Sequence, residues 1–225
     1  MSFNRRQFIL AGVALAAPVA HGVRAEPMAD LELTLALDAS GSMFDPQKTG
    51  VKHWDIQVAG HLYALSQQEI VAGLVTAHLR IIIWSDGRIH PIVFDARVRS
   101  ESDLEFARSS LKKFQPPCSI NGCAGTDHYT AVQLVLSLPR MGYRRVLDIS
   151  TDETTSSLYQ PRLDVLREKF EGQDGTINAL AVSMTPAQVN DLQTNLCTPS
   201  GQCFRAVDWS DYAEALRRKI ITEIA

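Results

Sequence analysis

The run Asp38-Ala39-Ser40-Gly41-Ser42 places one carboxylate and two hydroxyls at alternate positions of a short turn. Such oxygens are hard ligands, suited to a hard divalent cation such as Mg²⁺, which keeps several waters beside a few protein ligands. Gly41 lets the backbone bend between the serines. The same residues also suit a plain strand-to-helix turn in which the serines cap a helix, and spacing alone leaves both chemistries open. Two more turns carry oxygen ligands of the same kind: Asp152 follows the run Val146-Leu147-Asp148-Ile149-Ser150-Thr151, and Thr126 lies in Gly125-Thr126-Asp127. There too, Thr126 or Asp127 reads equally as a helix cap.

What makes these turns interesting is the elements that lead into them. Leu31, Leu33, Leu35, Ala36 and Leu37 form a short apolar run closed by polar residues, the pattern of a strand buried on both faces. Ile56, Val58, Ala59, Leu62, Leu65 and Ile70 recur near helical spacing, which predicts one amphipathic helix over 54–71. Strands over 79–84 and 89–94 are joined by Ser85-Asp86-Gly87-Arg88, a link so short that the two must run antiparallel. Helices follow over 102–114, 129–138, 161–170, 186–196 and 211–224, with strands over 145–150, 176–182 and 204–207. This alternation predicts an α/β fold: a three-layer, doubly wound, mostly parallel sheet with one antiparallel edge strand. Ligands of such folds bind beyond the carboxyl ends of the strands. Asp38, Ser40, Ser42, Thr126 and Asp152 are expected there, two carboxylates and three hydroxyls from three loops of one sheet edge.

Residues 1–25 read as a leader rather than part of the fold. Asn4-Arg5-Arg6-Gln7-Phe8-Ile9-Leu10 is a twin arginine followed by an apolar stretch to about residue 20, too short to span a bilayer, and Val23-Arg24-Ala25 offers small residues for cleavage. A twin-arginine leader implies bacterial export to the periplasm or beyond, with Asn4 in place of the more usual Ser or Thr. A cut after Ala25 lowers Lys+Arg from 22 to 19 against 25 Asp+Glu, a net charge of −6 for residues 26–225. That balance excludes a basic footprint for nucleic acid. No later stretch is long and apolar enough for a transmembrane helix, and residues 26–225 suit one domain.

Four cysteines fall in two close pairs, Cys118 with Cys123 and Cys197 with Cys203. In an oxidising compartment each pair can close a short loop as a disulfide, although sequence does not choose among the three connectivities. Neither pair is a CxxC, which disfavours zinc and dithiol chemistry. Histidines 53, 61, 78, 90 and 128 show no ligand spacing, His21 lies in the leader, and His128 reads as a surface residue.

Asp38-x-Ser40-x-Ser42, then Thr126 in a Gly-Thr turn, then Asp152 after a strand, resembles the metal-ion-dependent adhesion site of von Willebrand factor type A domains. More narrowly, Arg144-Arg145-Val146-Leu147-Asp148-Ile149-Ser150 and the strand end Trp84-Ser85 resemble an exported bacterial subgroup, a domain of unknown function (DUF1194). The resemblance runs through nearly all of residues 26–225. It implies Ser40 and Ser42 as direct ligands, Asp38 and Asp152 acting directly or through water, and Thr126 joining or leaving the ion. It also implies a divalent cation, Mg²⁺ first and Mn²⁺ or Ca²⁺ next, with an open position filled by an acidic side chain of a protein partner. The stretch 43–52 departs from it as an extended first loop in which Asp45 either supplements the site or faces solvent. Asp127 and Glu153 are expected as solvated rim residues.

Two functional classes follow: an exported, metal-dependent protein-binding module, or a metal-assisted hydrolase using Asp38 or Asp152. The second lacks a nucleophile elbow, a phosphate-cradling glycine loop, and a base to activate Ser40 or Ser42.

Overall fold

A computed structural model describes residues 27–45, 50–85, 91–116 and 125–225. The stretch read as a leader, Cys118, Cys123 and residues 86–90 lie outside the described residues. Strand β1 (Ala29–Asp38) is the centre of the sheet, with Leu33, Leu35 and Leu37 on one face and Ala36 on the other. Each leucine taken fully out of water contributes about 1.5–3 kcal/mol, and a strand buried on both faces belongs in the middle of a parallel sheet. On either side of β1 run β2 (His78–Trp84) and β4 (Gly142–Thr151), both parallel to it, and β5 (Gly175–Val182) and β6 (Cys203–Ala206) continue beyond β4. The order is β3-β2-β1-β4-β5-β6, with β3 (Ile92–Arg97) antiparallel at one edge, as the sequence predicts.

Helices cover both faces. The side chains of α1 (His53–Ala64), α2 (Gln68–Leu74), α3 (Glu101–Lys113) and α7 (Tyr212–Ile224) pack with the leucines of β1, including Leu74, Leu104, Leu111 and Leu216. The opposite core joins Ile149 and Ile177 to Val132, Leu163 and Leu192 of α4 (His128–Ser137), α5 (Gln160–Glu171) and α6 (Pro186–Asn195).

Three local expectations are corrected. The single helix over 54–71 is two, because Ser66 Oγ and Gln67 Nε2 both donate to the carbonyl of Tyr63, at 2.7 and 3.1 Å, and turn the chain between α1 and α2. Helix α3 is capped by Ser100 rather than Ser102, with the Asp103 carboxylate accepting the Ser100 amide at 3.0 Å. Strand β3 lies three residues later than expected. Asp95, just past the expected end, is paired inside the strand with His78 at 2.6 Å and Arg80 at 3.1 Å.

Register brings the strand ends together. Asp38 pairs with Trp84, and Leu37 with Ser150, so the chain leaves β1, β2 and β4 at one edge. The opposite edge is fastened by Glu32, fully buried, which accepts from Arg80 Nη1 at 2.7 Å, Arg145 Nε at 3.0 Å and the Met141 amide at 2.7 Å. Gly142 permits that closeness: a side chain there meets the Glu32 backbone nitrogen at 2.5 Å.

Candidate metal centre

Asp38 is the last residue of β1 and is wholly buried. Two groups aim it. Its Oδ1 accepts the Ser40 amide at 2.7 Å, folding the turn onto its own carboxylate. Gln57 of α1 grips the Asp38 backbone from both sides, its Nε2 donating to the carbonyl at 2.8 Å and its Oε1 accepting the amide at 3.1 Å. From there the hydroxyls form a chain: Ser40 Oγ lies 3.1 Å from Ser42 Oγ, and Ser42 Oγ donates to Asp152 Oδ1 at 3.2 Å. Thr151, the last residue of β4, donates to Asp38 Oδ2 at 3.4 Å. The first and third loops predicted from sequence therefore meet at one point.

Thr126 completes the set differently. Gly125 takes a positive φ of 84°, the conformation that favours glycine, and turns the chain just before α4. Asp127 then caps that helix, accepting the Tyr129 amide at 3.1 Å and the Thr130 hydroxyl at 3.0 Å. It is buried and is not the solvated rim residue expected; Glu153 is exposed, as expected. Thr126 is 8 % exposed, and among the described residues its hydroxyl makes no hydrogen bond, whether to the other four residues or elsewhere. His128, expected at the surface, is fully buried against Trp84, with Nδ1 2.8 Å from Thr155 Oγ1. Burial pushes its pKa down to about 3, so the ring is neutral.

The electrostatics are those of an anionic pocket. Burial, and then the charge of Asp152, push the Asp38 carboxyl up to about 8. Asp152 is also raised, by burial first and Glu153 next. Two buried carboxylates bridged by hydroxyls cost free energy that a divalent ion offsets, and an unpartnered Thr126 Oγ1 is a ligand atom without a protein partner. The residues thus fit a hydrated hard cation. Among the described residues no three His, Cys, Asp or Glu side chains gather where one metal ion could sit.

Two participants were invisible in the sequence. Gln57 lies mid-helix with nothing to mark it. His53, first residue of α1, is brought to 3.6 Å from Asp152 by the fold, although no spacing links 53 with 152. Cys197 and Cys203 are free thiols in hydrogen-bonding reach of one another; that contact, first among its causes, lowers the Cys203 pKa and raises that of Cys197.

The family model described as a protein of unknown function (DUF1194) matches residues 28–225. The chain belongs to that family. No curated protein matches it. Among solved structures, this DUF1194 chain is similar to the pilus adhesin SpaC of Lactobacillus rhamnosus GG, at a TM-score of 0.65 and 13 % identity over 88 % of this chain and 31 % of the adhesin. It is similar to proximal thread matrix protein 1 of the mussel byssus, in a structure with a zinc-occupied metal-ion-dependent adhesion motif, at 0.62 and 12 % over 88 % of this chain and 46 % of that one. It is also similar to a von Willebrand factor type A protein of Catenulispora acidiphila, at 0.57 and 14 % over 88 % and 43 %. The DUF1194 chain thus has a von Willebrand factor type A fold, while spanning less than half the length of each of these three chains.

Proposed function

We propose that this protein is an exported, metal-ion-dependent interaction domain, in which Asp38, Ser40, Ser42, Thr126 and Asp152 hold one divalent cation that accepts a carboxylate from an acidic side chain of a protein partner. The observation that carries the reading is the continuous chain from Asp38 through Ser40 and Ser42 to Asp152, with the partnerless Thr126 hydroxyl from a third loop. Two carboxylates neutralise a divalent ion only formally, so an incoming carboxylate still finds a cation with exchangeable water. The oxygen set by itself favours Mg²⁺, then Mn²⁺ or Ca²⁺. An adhesion-type role is in keeping with the pilus adhesin among its structural neighbours. Export to the periplasm or the medium is supported by the twin-arginine leader, and no described helix is long and apolar enough to cross a membrane.

The order of contacts disfavours a serine nucleophile activated by His53. The carboxylate of Asp152 lies against Ser42, and His53 lies on the far side of that carboxylate. A serine nucleophile needs the reverse order, base against hydroxyl. Calorimetric titration tests the site: the protein is expected to bind Mg²⁺ and Mn²⁺, and Asp38→Ala to abolish the heat of binding. Equal affinity in the two proteins overturns the reading.

A further inference from the structure

The imidazole of His53 is not explained by the oxygen site. It is 7 % exposed, and its ring is stacked on the indole of Trp209, 4.4 Å between centroids and 25° between planes. Neither ring nitrogen has a hydrogen-bond partner among the described residues. Nδ1 stands 3.6 Å from Asp152 Oδ2, too far for a hydrogen bond and close enough for a shared ligand. A buried polar group left unpaired costs about 1–3 kcal/mol, and a stacked ring held by Trp209 has little freedom to find another partner.

We propose that Nδ1 of His53 is a further ligand of the cation beside Asp152, with Asp38 acting through bound water, making the centre a mixed nitrogen and oxygen site with a preference for a borderline ion such as Zn²⁺ over Mg²⁺; this rests on the cation site proposed above. Bonds from a metal to imidazole nitrogen and carboxylate oxygen, about 2.0–2.2 Å each, span roughly 4.2 Å end to end. A separation of 3.6 Å is shorter, so one ion reaches Asp152 and His53 together. Imidazole is neutral, so it adds a ligand without adding negative charge, and the ion keeps its attraction for a partner carboxylate. Nitrogen ligands suit zinc and its neighbours, whereas Mg²⁺ prefers oxygen and retains its waters. The stack on Trp209 fixes the plane of the ring.

Pulsed electron paramagnetic resonance of the Mn²⁺-loaded protein is the test, because coordinated imidazole imprints a nitrogen-14 coupling on the manganese signal. Wild type is expected to show the coupling. His53→Phe keeps a ring to stack on Trp209 and is expected to lose it, with Zn²⁺ affinity falling about 10–100-fold and falling more than that for Mg²⁺. Bound Mn²⁺ without nitrogen coupling in wild type, or a coupling that persists in His53→Phe, overturns the role of His53 and leaves the oxygen site standing. If wild type binds no Mn²⁺, or Asp38→Ala binds it equally well, the cation site itself falls and the inference with it.

Discussion

Thr126 shows how one side chain can be wrong for the fold and right for a site. Its hydroxyl is buried with no partner, a cost that the helix beginning two residues later does nothing to relieve, since Asp127 supplies the cap. Replacing it with an apolar group of the same shape removes that cost. In chelator, Thr126→Val is expected to be about 1 kcal/mol more stable than wild type, while its affinity for Mn²⁺ falls about tenfold. Thermal melts in chelator paired with calorimetry check this; a variant that is less stable and binds metal normally shows the hydroxyl to be structural. Gln57 is the converse case, a residue that touches no ion position yet fixes the Asp38 backbone through two hydrogen bonds.

Among the elements, α7 is the one tied to the sheet by charge. Lys219 forms ion pairs with Asp148 of β4 and with Glu223 one turn along its own helix, all three buried, and Asn178 Nδ2 donates to Glu223 Oε1 at 2.8 Å. Two carboxylates share one ammonium. Burial, then the charge of Asp148, push Glu223 up to about 7 from 4.5. A carboxyl raised on folding holds its proton longer in the native state, so its contribution is complete below about pH 4.5 and is lost as pH climbs through 7. That loss is on the order of 2 kcal/mol. Glu223→Gln keeps the acceptor for Asn178 and cannot ionise, so its melting temperature should decline less between pH 5 and pH 8 than that of wild type. Parallel declines rule out the titration of Glu223 as the cause. At the other end of the sheet, Glu32 plays the same fastening role between Arg80 and Arg145.

For the whole molecule the question is where the domain works. The family match begins at residue 28, just beyond the stretch read as a leader. If Arg5 and Arg6 form a twin-arginine signal, changing both to lysine keeps their charge and blocks export. Fractionation of cells making the Arg5→Lys, Arg6→Lys protein is expected to find it in the cytoplasm, and undiminished periplasmic accumulation rules out that route.

Much of this was legible in the chain because it is local. A strand buried on both faces must be central, a short link must reverse the chain, and a polar turn after each strand must sit at its carboxyl end; those three facts yield the sheet and place Asp38, Ser40, Ser42 and Asp152 at one edge. What local pattern cannot carry is a partner distant in sequence. Ser66 breaks a helix that periodicity runs through, and Asp95 extends β3 because His78 and Arg80 stand beside it. Burial of His128, and the approach of His53 to Asp152 across 99 residues, arise only when α1 and the loop after β4 are packed against the same sheet edge. Periodicity along the chain encodes which face a residue buries. It does not encode which side chains then meet, and that was decided by tertiary packing.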